Sequence, residues 1–354
     1  MTIFPASKSV LLGALGFATV LVAPLAIYAC EESTGSQPQD YTSLLQGLTD
    51  DTTIPKTTDF AAQADALVTR LSALEASNDA ASLSAAQDAW RAARKAYRLL
   101  DAEHYGPSSE QGISDRIDTF PIDAAAVTAL AAQPSPAVAA APNNAKGFLA
   151  LESLLFKADA LTDPKARLLA RMYGEDIAAA AHALADAWGS FGTQLKTAGK
   201  GSTRYATQRA ALDDVMAGVG YALELVVAVD LANPLGRQNN GQPDQSKVIA
   251  APSDNSVADM VATLDGVSAA YEGRGFTVIT RSQSAPLDDT FRSQLATCKA
   301  KVSALIRPFS TAIVNQTSVV IEAYEACKTA KNTWTTEVTS ALGATVKPAD
   351  TDGD

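Results

Sequence analysis

The chain has 354 residues, of which 47% are hydrophobic, enough apolar material for one or two cores, so disorder throughout is excluded. Aromatic residues make up 6%, charged residues 19%, and alanine roughly a fifth, a balance that favours helices over strands and sets an all-α expectation. A net charge of −11 leaves no basic stripe for a phosphate backbone, so nucleic acid is excluded as a partner and cations, proteins or neutral ligands remain.

The chain opens on an export signal. Lys8 is the sole charged side chain before position 31, and an apolar run from Val10 to Ala29 follows it. That run is long enough for an anchor helix, but it ends on Ile27-Tyr28-Ala29-Cys30, which resembles the bacterial lipobox; Tyr28 departs from its usual small residue. Residues 1–29 are therefore expected to be a lipoprotein signal peptide, with Cys30 as the lipidation site and residues 30–57 as a tether. Loss of Lys8 with the signal would move the formal charge from −11 to −12. The chain would then sit at the cell envelope, lipid-anchored, on a periplasmic or outer-membrane face.

Beyond the tether, helical periodicity dominates. Helices are expected at 58–76, 82–104, 145–158, 163–197, 203–232, 256–272, 287–307 and 309–342. Asp163-Pro164 supplies an N-cap acceptor before a proline suited to the first turn, and Ser256 with Asp259 has the spacing of a capping box. Gly106-Pro107, the Pro134 to Pro142 stretch and the segment from Asn233 to Pro252 break the pattern. The expected architecture is two antiparallel bundles of about four helices each, over 58–200 and 201–342, before an acidic tail at 343–354. Cys298 and Cys327 fall on neighbouring helices and are expected to form a disulfide in an exported protein, two buried thiols being the alternative.

Three constellations could carry chemistry. Trp90, Arg94 and Tyr97 share one face of the second helix, with Asp101 and His104 continuing along it; packing of the rings with an Arg94 ion pair is the structural alternative. The segment Arg116 to Asp123 carries acids without obvious chemistry. Glu152 is a single carboxylate in the apolar run Gly147 to Phe156, and it needs a partner such as Arg94, a metal or a proton. Glu224 has the same character between Tyr221 and Val227, so the two acids could share a cation.

The ordered set Trp90-x3-Arg94-x2-Tyr97, Tyr105-Gly106-Pro107, Phe120-Pro121-Ile122-Asp123, Gly147-Phe148-x3-Glu152, Asn233-Pro234-Leu235 and Ser253-Asp254-Asn255-Ser256-x2-Asp259 resembles the imelysin-like family from about 58 to 342. The resemblance implies paired four-helix bundles, export or lipid anchoring, and a link to iron uptake; the founding member was described as a metallopeptidase. The family hallmark Gly-x-His-x-x-Glu, taken as metal-binding, falls on Gly147 and Glu152, but Leu149 stands where the histidine belongs. Leucine cannot ligate iron or zinc.

The resemblance thus points to a binding protein for iron or another divalent cation, with Glu152, Arg94, Trp90, His104 and Ser253 around the family site. A metal-free scaffold with an envelope protein as partner is the alternative that Leu149 favours. A peptidase is the third, opposed by a total of two histidines, His104 and His182.

Overall fold

The computed structural model describes residues 39–344 except 161, 238, 239 and 273; the expected signal peptide, the expected lipidation site Cys30 and residues 345–354 of the expected acidic tail lie outside them. The first helix begins earlier than expected. α1 (Thr42–Gly47) runs through a π-helical turn, Leu48–Thr53, into α2 (Ile54–Ser77), so the second part of the expected tether is helical. Leu44, Leu45 and Leu48 explain this, because their burial gives that segment an apolar side of its own.

α2 buries Phe60, Ala64, Leu67, Leu71 and Leu74, spaced three or four residues apart, and ends on Asn78 in the left-handed conformation. A capping box opens α3 (Ala80–Arg98): Asp79 accepts from the Ser82 amide at 2.7 Å and Ser82 Oγ accepts from the Asp79 amide at 3.3 Å. Three short helices that the periodicity did not mark follow: α4 (Pro107–Glu110), α5 (Ile113–Ile117) and α6 (Ala124–Ala132). Then come α7 (Gly147–Leu155) and the long α8 (Pro164–Lys196), where Asp163 caps the Lys165 amide as expected. α2 packs on α3 and α8, with α7 against α3 and α8, forming the first bundle. Small residues such as Ala170, Ala181 and Gly174 let α8 lie close to α2.

The second bundle is built from α9 (Gln208–Glu224) with its π-helical continuation Leu225–Ala232, α10 (Ser256–Tyr271), α11 (Phe276–Gln283), α12 (Ala285–Ser303), α13 (Phe309–Asn315) and α14 (Thr317–Asn332). A final π turn, Thr333–Val338, and α15 (Thr339–Ala341) extend α14. The segment Gln208–Ala232 is long and apolar enough to cross a bilayer, but 67% of its most apolar window is buried, as in a core helix. The expected Cys298–Cys327 disulfide joins α12 to α14, with an S–S distance of 2.09 Å. The fold is all-α, and a single apolar cluster runs through both bundles across the turn near residue 200.

α10 closes the gap between the bundles. Gly266 makes this approach feasible: a Cβ there would come within 2.5 Å of the Leu99 carbonyl oxygen at the end of α3. The capping box expected from Ser256 and Asp259 does not form. Asn255 is the N-cap, Ser256 Oγ donates to the Ile249 carbonyl, and the Asp259 carboxylate is drawn to Arg94 across the interface, a stronger partner than an amide at the helix start.

Candidate functional site

Arg94 and Arg98, one turn apart on α3, are buried and cross between the bundles. Arg94 donates from Nε to Asp259 at 2.6 Å and from Nη1 to Asp118 at 2.5 Å. Arg98 donates from Nη2 to Asp230 at 2.8 Å and from Nε to the Thr263 hydroxyl at 3.2 Å, and it pairs with Asp101 at 3.1 Å. Thr263 in turn donates to Asp101 at 2.6 Å, and Asn255 donates to Asp259 at 2.6 Å. Four carboxylates therefore surround two guanidiniums, leaving an acid excess where charge is costly.

That excess shows in the titration of the acids. Burial pushes the Asp101 carboxyl up to about 7 against the opposing pull of Arg98, and it pushes Asp230 up to about 6 in the same way. Burial also raises Asp118, with Arg94 and Arg98 opposing it. On the basic side, burial works against the charge of Arg94, but Asp118 and Asp259 outweigh it.

The network opens into a cleft of about 710 Å³. Tyr97, Arg98, Asp101, His104, Asp118 and Tyr221 line it, with Asp115 and Lys247 exposed at its rim. His104 lies flat on Tyr221, ring centroids 3.7 Å apart and planes within 10°, and burial holds its imidazole below the usual value against the pull of Asp115. The π-helical continuation of α9 supplies Leu225 and Val229 to the wall and carries Asp230 behind it, a common use of such turns.

Glu152 lies to one side of this cleft and does not line it. Its Oε1 accepts the Ser253 amide at 2.8 Å, and the Ser253 hydroxyl, 3.3 Å from the Ala250 carbonyl oxygen, also acts on the carboxylate. Burial raises the Glu152 carboxyl, with Ser253 opposing the shift. Among the described residues Glu152 forms no ion pair with Arg94, the partner that was one of its alternatives; the aspartates engage Arg94 Nε and Nη1, and Nη2 has no hydrogen-bond partner. Trp90 donates from Nε1 to the Phe148 carbonyl at 3.0 Å, and the Arg94 guanidinium lies 5.6 Å from the Trp90 ring. The structure thus gathers Trp90, Arg94, Glu152 and Ser253 around α7, and places His104 in the cleft.

Gly147 has φ +81°, and a Cβ there would come within 2.4 Å of the Ile117 carbonyl oxygen. This close approach seats α7 on the end of α5, one residue before Asp118. The segment from Arg116 to Asp123 thereby contributes Asp118 to the ionic network. Leu149 is buried and has no donor atom, so the pair supplies one candidate ligand, the Glu152 carboxylate, where the hallmark has two. Among the described residues no three His, Cys, Asp or Glu side chains converge as metal ligands.

Two expectations resolve elsewhere. Glu224 is half-buried and paired with Lys331 at 2.6 Å, so it shares no cation with Glu152. His182 is exposed and meets Asp65 at 2.9 Å. Sequence reasoning passed over Arg98, Asp118 and Asp230; Asp230, alone among apolar residues like Glu152, offered the same signal.

Comparison with known proteins agrees with this architecture. The family model of Imelysin matches residues 53–333. Iron-regulated protein A of Synechococcus elongatus is 29% identical over 236 residues, 65% of this chain and 64% of that protein, so the match spans less than two thirds of the relative. A candidate iron-regulated protein A precursor of Parabacteroides distasonis has the same fold, with TM-score 0.75 and 17% identity over 87% of this chain and 97% of its own. An imelysin-like protein of Psychrobacter arcticum follows, with TM-score 0.74 and 19% identity over 86% and 95%.

Proposed function

We propose, from the premise that the chain belongs to the Imelysin family, that it is an exported, lipid-anchored protein of the cell envelope that binds a cation in iron acquisition. The observation that carries this reading is the cleft beside Asp101 and Asp118, where buried carboxylates outnumber the guanidiniums they surround. A surplus of fixed negative charge in a concave, partly desolvated site attracts cations and repels anions. The name of the Synechococcus relative ties the family to iron, and the Cys298–Cys327 disulfide suits an oxidising compartment.

The test is iron content. The purified full-length chain, equilibrated anaerobically with ferrous iron, should retain it stoichiometrically, and Asp118→Asn should weaken binding by roughly tenfold or more. No retained iron at any ratio overturns the reading. Cys30→Ser should release the chain from the membrane fraction; unchanged partitioning would sink the lipid anchor.

A second reading, a metal-free interaction protein of the envelope, is favoured by Leu149 alone. It expects a protein partner to be captured equally well by the wild type and Asp118→Asn.

A further inference from the structure

One wall of the cleft carries apolar side chains that the core leaves uncovered. Tyr221, Leu225 and Val229 recur every fourth residue from α9 into its π-helical continuation, so they form a stripe along the cleft. Leu225 and Val229 are half-buried, yet neither belongs to the apolar cluster of the core or packs against it. Phe120 and Ile249, also half-buried, line the same space. Tyr221 lies against His104 with ring planes within 10°, which gives this wall a flat aromatic surface. Apolar surface left open inside a concavity, rather than scattered over a convex exterior, is what a bound organic molecule covers.

Arg98 and Asp118 supply the polar counterpart. Their side chains are 3% and 10% exposed, and both residues line the cleft. Arg98 uses Nε and Nη2 on Thr263 and Asp230, and Asp118 uses Oδ1 on Arg94. The remaining Arg98 Nη1 and Asp118 Oδ2 are 3.9 Å apart, too far for a hydrogen bond, and neither atom makes another among the described residues. A donor and an acceptor at that separation suit one oxygen that accepts from the first and donates to the second; about 2.8 Å from each, it would see them at an angle of about 90°. A hydroxyl has both capacities, whereas an ether or carbonyl oxygen only accepts, and a carboxylate is opposed by the surplus of acid. The volume of about 710 Å³ is that of a small-molecule site.

We infer that the cleft binds a neutral hydroxylated aromatic molecule, its ring against Tyr221, Leu225 and Val229 and its hydroxyl bridging Arg98 Nη1 and Asp118 Oδ2. No metal takes part, so this binding is independent of the cation reading. The two sides of the cleft select together: the stripe disfavours molecules with hydroxyls but no apolar face, and the gap between Arg98 and Asp118 disfavours aromatic molecules with no hydroxyl.

The probe is β-naphthol, a flat apolar molecule with one hydroxyl. Titrated calorimetrically into the full-length chain in the presence of a chelator, it should bind saturably, one per chain. Its methyl ether keeps the rings but cannot donate to Asp118, and should bind at least about tenfold more weakly. Glucose, which has hydroxyls without an aromatic ring, should not compete. Val229→Trp fills the cleft and should abolish binding, whereas Val319→Trp, at an exposed apolar position on α14 outside the cleft, should leave it unchanged. Equal affinity for β-naphthol and its ether overturns the proposal, and that comparison in the wild type holds whether or not Val229→Trp folds. No saturable binding, displacement by glucose, or equal weakening by Val229→Trp and Val319→Trp overturns it as well. Ferrous iron, measured separately without chelator, decides the cation reading on its own.

Discussion

The ion pairs at the centre of the molecule and those on the outer side of α8 use the same groups to different ends. Arg171 bridges Glu75 at 2.5 Å and Glu175, with side chains 27–48% exposed. Arg94 bridges Asp118 and Asp259 with its own side chain fully buried. On the surface, water can replace either partner, so each pair contributes little. At the centre the paired side chains are at most 10% exposed, so each charge depends far more on its partners.

The largest break in that contrast should come from Asp259→Ala. Removing one partner leaves Arg94 buried beside a single aspartate, and a loss of about 3–5 kcal/mol is expected in chemical denaturation. Glu75→Ala should cost less than about 1 kcal/mol in the same assay. Equal costs would show that the central network is as solvated as the surface.

Leu149→His sharpens the comparison from the other direction. It buries an imidazole on α7 one turn before Glu152 and should cost about 2 kcal/mol without metal. Zinc should recover part of this and bind more tightly than to the wild type, since histidine and glutamate three residues apart face the same way. No zinc effect on the melting temperature would mean that Glu152 cannot leave the Ser253 amide.

Acidity provides a gentler probe. Asp101 and Asp230 titrate at about 7 and about 6 in the folded chain, against 3.8 for the free side chain. The folded protein therefore holds protons that the unfolded chain releases, so their contribution is complete below pH 3.8 and is lost as pH rises towards 7. In denaturant titrations across this window, Asp101→Asn should flatten the decline relative to wild type; parallel curves would remove Asp101 as a proton holder. The smallest effect is expected at the rim of the molecule, where His182→Ala removes an exposed pair with Asp65 and should shift stability by less than about 0.5 kcal/mol.

Much of the fold was legible in the spacing of apolar residues, because long helices such as α2, α8 and α12 repeat one buried side over several turns. Helices of four to nine residues, such as α4, α5 and α6, complete too few turns to show a period. The tether was read as far as residue 57 because its polar start continues, from Thr42, into a helix whose buried side is short. At the site, Trp90, Arg94 and Tyr97 emerged from i, i+4 and i+7 spacing, and Glu152 from its isolation. The partners of Arg94 lie 24 and 165 residues away, a relation that local periodicity does not encode. Isolation in an apolar run marked Glu152 and Glu224 alike; helical phase separated them, turning Glu224 out to Lys331.

The distribution of the central charges along the chain has a consequence for how the polypeptide could be divided. Arg94, Arg98, Asp101 and Asp118 precede the exposed turn at Lys200, whereas Asp230, Asp259 and Thr263 follow it. The first portion carries both guanidiniums with two carboxylates, and the second carries two carboxylates with no guanidinium of the network. A protease nick after Lys200 should therefore yield two fragments that co-elute and melt together, and the two pieces produced separately should gain helical order only on mixing, as a split protein that reassembles through its ionic centre.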